Sequence, residues 1–512
     1  MPELSRRTFL VNARGAAIAA GGLAVGAGAL RQATPASAAA TTFPSTPFTV
    51  GVASGDALPG AVVIWTRLTT QPTEPGLGMD GQGPIPVEWT VAETPEALDT
   101  RPHATGVFVA EPQHAWSVHV DVTGLHPDTT YHYRFRAGDW VSPVGRTRTT
   151  PVPSADVPVR FAILSCQNMA KPGSGIFYFN GIADLATRDD IDFVAYLGDY
   201  IYDFGRPGHL PPRQIQSLSD YRIRYGQYKS RLALMDMHAR FPVYTVPDDH
   251  EFWNDVQGRA PGMTPAEKAQ LATALQAYWE NMPLRGGPPV LDAASGLMQL
   301  TLHRRVKWGS NLDLLLTDGR QYRAPGTILG REQLDWLLDM VAGSHATWTA
   351  IGSGQPLSWF PNSGGGWSGF DADRSALTDA LAKRLAARRH RAFNPVVLSG
   401  DTHRGIVTHV RQRRNATTAL VATEFVGPPV SSNSATDYDK NADTGAYRAS
   451  YAYAQNGELN AYRGYLDCAL TSSAWTSTYV LGNQVDRPNG TVSATDRWQL
   501  DNGAEVGSVR RL

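Results

Sequence analysis

The chain has 512 residues, of which 42% are hydrophobic and 18% charged, proportions ordinary for a globular protein and enough length for more than one domain of ~100–200 residues. A formal net charge of −1 leaves no electrostatic footprint for nucleic acid, and two cysteines, Cys166 and Cys468, exclude a disulfide scaffold. Beyond residue 40 no run of about 18 strongly apolar residues occurs, so no transmembrane span is predicted.

The chain opens MPELSRRTFL, with Arg6 and Arg7 inside Ser-Arg-Arg-Thr-Phe-Leu. A weakly apolar run, GAAIAAGGLAVGAGAL, and a small-X-small box, Ala36-Ser37-Ala38, follow. Together these resemble a twin-arginine export signal over residues 1–38. The resemblance implies the twin-arginine translocase as a partner, cargo that crosses folded and often metal-loaded, and a secreted or extracytoplasmic location.

From Phe48 to about Thr150 the runs are short and alternating: FTVGVASGD, AVVIWTRL, VEWTVAE, HAWSVHVDVTGL, TYHYRFRAG. They are β-branched or aromatic and bounded by turn residues, which predicts strands. LHPDTTYHYRFRA reads as strand–turn–strand of a fibronectin/Ig-like β-sandwich, placed at residues 43–150. No ionisable cluster is visible in this module, which predicts packing or binding rather than chemistry. PVPSADVP at 151–158 reads as a linker.

From residue 159 to 512 the pattern changes. VRFAILSCQN, IDFVAYLGDYIYD, FPVYTVPDDHE, NLDLLLTDGRQYR, TWTAIGSGQP and NPVVLSGDTHRG are apolar runs that stop at polar corners. GIFYFNGIADLATR and DYRIRYGQYKSRLALMDMHAR read as helical stretches between them. Strands alternating with helices predict a layered α/β domain, in which groups at the carboxyl ends of neighbouring strands converge on one crevice.

The densest corner is PDDHEFWND at 247–255, without a single Lys or Arg. With Ser165-Cys166-Gln167-Asn168, Gly198 to Asp203, and Gly400 to His403, it places carboxylate, amide, imidazole, thiol and phenol groups at four strand ends. Several ionised carboxylates cannot share a pocket without countercharge, and metal cations supply it. Oxygen-rich sets suit hard ions such as calcium, magnesium or manganese; thiolate and phenolate together favour ferric iron.

In this order, FTVGVASGD, SCQN, LGDYIYD, DDHEFWN and SGDTHR resemble the PhoD-like alkaline phosphatases of the metallophosphatase superfamily, across nearly the whole chain after residue 38. TDGRQYR and RGYLDC add weaker support, and some exported actinomycete phospholipases D are similar. The resemblance implies an exported phosphoester hydrolase with Fe3+ and Ca2+. It implies metal ligation by Cys166, Asp199, Tyr202, Asp249, Asn254, Asp401 and His403, and a role for His403 or His250 toward the leaving group. If EFWND starts a helix, His250 and Asn254 share one face. Pro247 and Asp255 depart from the family's usual residues. Candidate phosphate partners are Arg374 and Arg404, with Arg320 and Arg323 beside them. PNSGGGWSGF before Arg374 reads as a flap, and VGPPVSSNSATDYD and AYAQNGELNAYRGY as a polar covering. Cys468 is expected to be a buried free thiol. The resemblance implies a small phosphoester as substrate; the alternative is a phospholipase D-type enzyme acting on phospholipid head groups.

Overall fold

The computed structural model describes residues 42–171, 175–359, 366–387, 393–414, 417–432, 462–482 and 484–512. The predicted signal at 1–38 lies outside them, as do residues 361–365 of the expected flap and 433–461 of the expected covering.

All six apolar runs are strands, divided between two sheets. Val159–Leu164, Phe193–Leu197 and Pro242–Val246 pair in parallel at the centre of a ten-stranded sheet. Leu312–Thr317, Trp348–Ser353 and Asn394–Ser399 pair in parallel within a six-stranded sheet. Side chains alternate across each strand. Phe161, Phe193, Leu197 and Val246 therefore meet Leu314, Leu316, Ala350, Val396 and Leu398 in one apolar core. The opposite faces carry helices: Ala162, Leu164 and Val194 pack under Asn180–Ala186, Leu218–Lys229, Leu232–Arg240 and Pro265–Asn281. Leu315, Ile351 and Val397 pack under Gly330–Gly343 and Asp371–Ala386. Two of these helices start at capping boxes, Ser217 with Asp220 and Thr264 with Glu267, which satisfy amide donors that helix starts leave open. Of GIFYFNGIADLATR only Asn180–Ala186 is helical.

The N-terminal stretch is built of β-strands, as expected, with only single helical turns at Ala97–Thr100 and Pro112–His114 between them. Ile85–Ala92, Ala104–Ala110 and Thr130–Ala137 belong to one sheet, and its Val87, Val91 and Tyr133 share a core with Val52, Val62 and Ile64 of the facing sheet. That facing sheet is the ten-stranded one: Val52–Leu58 pairs in parallel with Pro242–Val246, Ser54 opposite Pro242 and Gly55 opposite Val243. Gly55 permits the join, since a Cβ there would lie 2.5 Å from the carbonyl oxygens of Val243 and Pro283. The stretch 151–158 is irregular, as a linker should be, but it does not divide the hydrogen bonding. Thr42–Leu512 form one unit.

Candidate metal centre

Both sheets deliver side chains to the same place. Cys166 follows Val159–Leu164, Asp199 follows Phe193–Leu197, Asp248 to His250 follow Pro242–Val246, and Asp401 and His403 follow Asn394–Ser399. Cys166, Asp199, Asp401 and His403 have left-handed backbones, with φ of 57°, 57°, 65° and 55°. Such a conformation costs a non-glycine residue roughly 1–2 kcal/mol, and its concentration at one spot marks a functional site. Gly198, at φ 86°, has no alternative: a Cβ there would sit 2.3 Å from Cβ of Asp248. The corners are tied together by the Cys166 amide donating to Gly198 O (3.3 Å) and the Gln167 amide donating to Asp199 O (3.1 Å).

Two sets of donors overlap. Cys166, Asp199 and His403 each offer a ligand atom within 4.8 Å of the others, and so do Asp199, Asp249 and His250. Asp199 belongs to both. Its Oδ2 accepts from the Tyr202 hydroxyl (3.0 Å), whereas its Oδ1 is buried and has no hydrogen-bond partner among the described residues. Native interiors rarely strand such an atom; a cation between the two sets would satisfy it. The Tyr202 oxygen also lies 3.1 Å from Nε2 of His403 and accepts from Ser432 Oγ (2.6 Å).

The charges point the same way. Burial pushes the Asp199 carboxyl well above the usual range; His250 opposes this, while Asp249, Asp248 and Asp401 add to it. Burial, with Asp248 and Asp249, raises Asp401 against the pull of Arg320 and His250. Burial and then Asp199 raise both Cys166 and Tyr202. Asp249 goes the other way: against burial, Arg320, His250 and the Asp255 amide hold it low. Acids in this arrangement ionise together only beside positive charge. Arg320 provides part, its Nε and Nη2 donating to Asp248 (2.5 and 3.2 Å) and Nη2 lying 3.4 Å from Asp249. The donor set therefore fits metal cations: thiol and imidazole meet Asp199 in one set, and carboxylate and imidazole meet it in the other.

His250 is present but is not the first residue of a helix. Asp249–Glu251 form a single 3-10 turn that ends at Phe252, so His250 and Asn254 share no helical face. Nδ1 of His250 lies 2.5 Å from Asp203 Oδ1 and its ring 4.2 Å from that of Tyr202. Although burial opposes it, Asp249, Asp199 and Asp203 hold a proton on this imidazole, with a pKa of about 10. Asn254 is exposed, and its carboxamide donates to Asp255 (2.8 Å). The Asp255 amide in turn donates to Asp249 Oδ2 (2.7 Å), so position 255 orients a site carboxylate through its backbone, whatever its side chain.

Arg374 is a correction. It is buried in Asp371–Ala386, donating from Nε to Leu357 O (2.9 Å) and from Nη2 to Arg411 O (2.8 Å). The charges that act on it are Glu424, Arg414, Asp371 and Arg413, none of them in the centre. It pins a loop rather than a substrate. Arg404 is buried in the corner that carries Asp401 and His403. Arg323 donates to Gly319 O (2.9 Å) and to Gln355. The described end of the expected flap is packed inward: Trp367 is buried and donates to Ser353 Oγ (3.0 Å). Cys468 is a buried free thiol, as expected, 3.7 Å from Ser477 Oγ.

Three participants were not singled out from the sequence. Glu251 accepts the backbone N–H groups of Asp248 (2.8 Å), Asp199 (3.1 Å) and Tyr200, tying two corners together. Asp203 orients His250. Ser432 reaches Tyr202 from a stretch that reads as polar covering. Asp203 and Glu251 both stand inside recognised motifs, where an unassigned acid was the available signal; for Ser432 there was none.

Residues 161–479 match the PhoD-like phosphatase family and residues 33–151 match the family's N-terminal domain. The chain is 32% identical over 499 residues to alkaline phosphatase D of Bacillus subtilis (strain 168), covering 89% of this chain and 81% of that one. It is similar to the structure of PhoD with a TM-score of 0.80 at 30% identity, over 92% of this chain and 93% of the other. Purple acid phosphatase PPD1 from yellow lupin (Lupinus luteus) seeds shares the fold alone, with a TM-score of 0.55 at 12% identity over 88% and 74% of the two chains. With the corner motifs, the shared carboxylate and these likenesses in agreement, the chain belongs to the PhoD-like phosphatases, hydrolases of phosphoric esters.

Proposed function

We propose that the protein is an exported alkaline phosphatase acting on phosphate monoesters and diesters through an iron–calcium centre. The observation that carries this reading is that Asp199 belongs to two donor sets and its buried Oδ1 has no partner among the described residues. Cys166, Tyr202, Asp199 and His403 would hold ferric iron, since thiolate and phenolate favour an oxidising ion. Asp199, Asp249 and Asp401, with Asn254 at the rim, would hold calcium, a hard ion that takes oxygen ligands. When bound, the cations lower the pKa of water and neutralise phosphoryl oxygens.

The chain's own groups do the rest. Asp199 and Asp249 fix the positions of charge, and Glu251 holds the Asp199 and Asp248 backbones in register. Asp203 fixes Nδ1 of His250, which leaves Nε2 to pass a proton to the leaving alkoxide. Arg404 is the candidate partner of a phosphate oxygen. The Ser-Arg-Arg-Thr-Phe-Leu start supports passage through the twin-arginine translocase.

Elemental analysis and a visible spectrum of the exported protein test the centre. Iron near one per chain, calcium, and a thiolate or phenolate charge-transfer band are expected; zinc alone in a colourless protein would overturn the iron–calcium reading. Initial rates on a phosphate monoester against phosphatidylcholine test the substrate. Faster turnover of the monoester is expected, and the reverse would make the enzyme a phospholipase D-type phosphodiesterase.

A further inference from the structure

The N-terminal module showed no ionisable cluster in sequence, yet folding makes one. Glu93 follows the strand Ile85–Ala92, His103 precedes Ala104–Ala110, and His126 lies in the turn between Ser117–Thr123 and Thr130–Ala137. All three are exposed and each offers a ligand atom within 4.8 Å of the others. They share no residue with the phosphatase centre.

Nε2 of His103 lies 3.2 Å from Gly124 O. A carbonyl there fixes the proton on Nε2 and leaves the Nδ1 lone pair for a ligand, the arrangement that metal-bound imidazoles usually have. The His103 amide donates to Val91 O (2.8 Å), and its ring stands edge-on to His126 and Tyr131, at 5.5 and 5.2 Å between centroids. The backbone of His126 is held from both sides: its N–H donates to the Tyr131 hydroxyl (2.9 Å) and its carbonyl accepts from Thr149 Oγ1 (2.6 Å). The carbonyl of Glu93 lies 3.2 Å from Nδ1 of His132. The side chains are exposed, but they stand on anchored backbone.

We propose that Glu93, His103 and His126 form a second metal site, for a borderline divalent transition cation such as zinc. Two imidazoles and one carboxylate suit zinc, nickel or copper(II) and not calcium. Exposure leaves the remaining coordination position to water. The cation would bridge three strand ends of the sandwich, acting as a staple at an edge of the fold far in sequence from the phosphatase motifs.

Isothermal titration of the metal-loaded protein with Zn2+ tests this, on the wild type, His103→Ala and Glu93→Gln. One zinc equivalent in the wild type that both variants lose is expected. Phosphate-ester hydrolysis stays unchanged, and zinc raises the melting temperature of the wild type only. The melting temperature without zinc shows that the variants are folded. With Cu2+ as probe, the wild type should give nitrogen superhyperfine splitting from two imidazoles, reduced to one in His103→Ala. Equal zinc uptake by wild type and variants, or no uptake by the wild type, would overturn the proposal.

Discussion

Glu251→Gln turns one buried carboxylate oxygen into an NH2 group where two metal-bearing corners meet. In the native protein Oε2 accepts the Asp248 and Asp199 amides (2.8 and 3.1 Å) and Oε1 accepts that of Tyr200. All three partners are N–H donors, so the ionised carboxylate matches the geometry even though burial, and then Asp199, push its pKa up. Glutamine can keep its carbonyl oxygen on two of the donors, but its NH2 then faces the Tyr200 N–H. A hydrogen bond to a charged acceptor contributes about 1.5–3 kcal/mol, and a stranded buried donor costs about 1–3 kcal/mol. These overlap, giving an expected loss of about 2–5 kcal/mol. The strain falls on the peptides that position Asp199 and Asp248, so metal retention should fall with stability. Urea unfolding of the metal-loaded protein reads the first, and iron and calcium content after dialysis against a chelator reads the second. Wild-type stability with wild-type metal content would refute the reasoning. Lower stability with unchanged retention would reduce Glu251 to a purely structural tie.

Tyr202→Phe should abolish or shift the visible charge-transfer band and lower kcat while Cys166, Asp199 and His403 keep most of the iron; an unchanged spectrum would remove Tyr202 from the ligand set. Arg374→Ala should cost about 1–3 kcal/mol for the lost bonds to Leu357 and Arg411 and leave KM as it was; raised KM at unchanged stability would return it to the substrate. Lys229 is buried, with Nζ 4.4 Å from the Trp65 ring centroid, and burial followed by Arg67 holds its pKa well below the ordinary value. The unfolded chain keeps that proton up to about pH 10, so between the folded value and that pH the unfolded state binds more protons and stability rises with pH. One such proton contributes up to about 1.4 kcal/mol per pH unit. Lys229→Met should be more stable than the wild type at pH 7 and lose this part of the slope, read by urea unfolding at pH 7 and 9; an unchanged slope would sink the argument.

The strand-end corners were legible because strands buried on both faces read as continuous apolar runs, and a polar corner after such a run stands out. The same logic misled at EFWND. The pair Asp248 and Glu251 does form a capping box, but Glu251 is drawn away to Asp199 and Tyr200, and the backbone leaves helical geometry at Phe252. Arg374 misled for a related reason: a guanidinium near glycines looks the same in sequence whether it meets a phosphate or two backbone carbonyls.

By itself the sequence determined which residues have the chemistry for a metal centre, the order in which they arrive, and the two kinds of architecture along the chain. Those features are local: residue type, period of burial, and the turn residues that end a strand. Only the tertiary structure decided that Val52–Leu58 joins the phosphatase sheet, that Ser432 meets Tyr202, and that Glu93, His103 and His126 gather at the end of the sandwich. Each is a contact between segments distant along the chain. Parallel pairing and converging loops have no local turn signal; they are selected by how two sheets and their helices bury one common core.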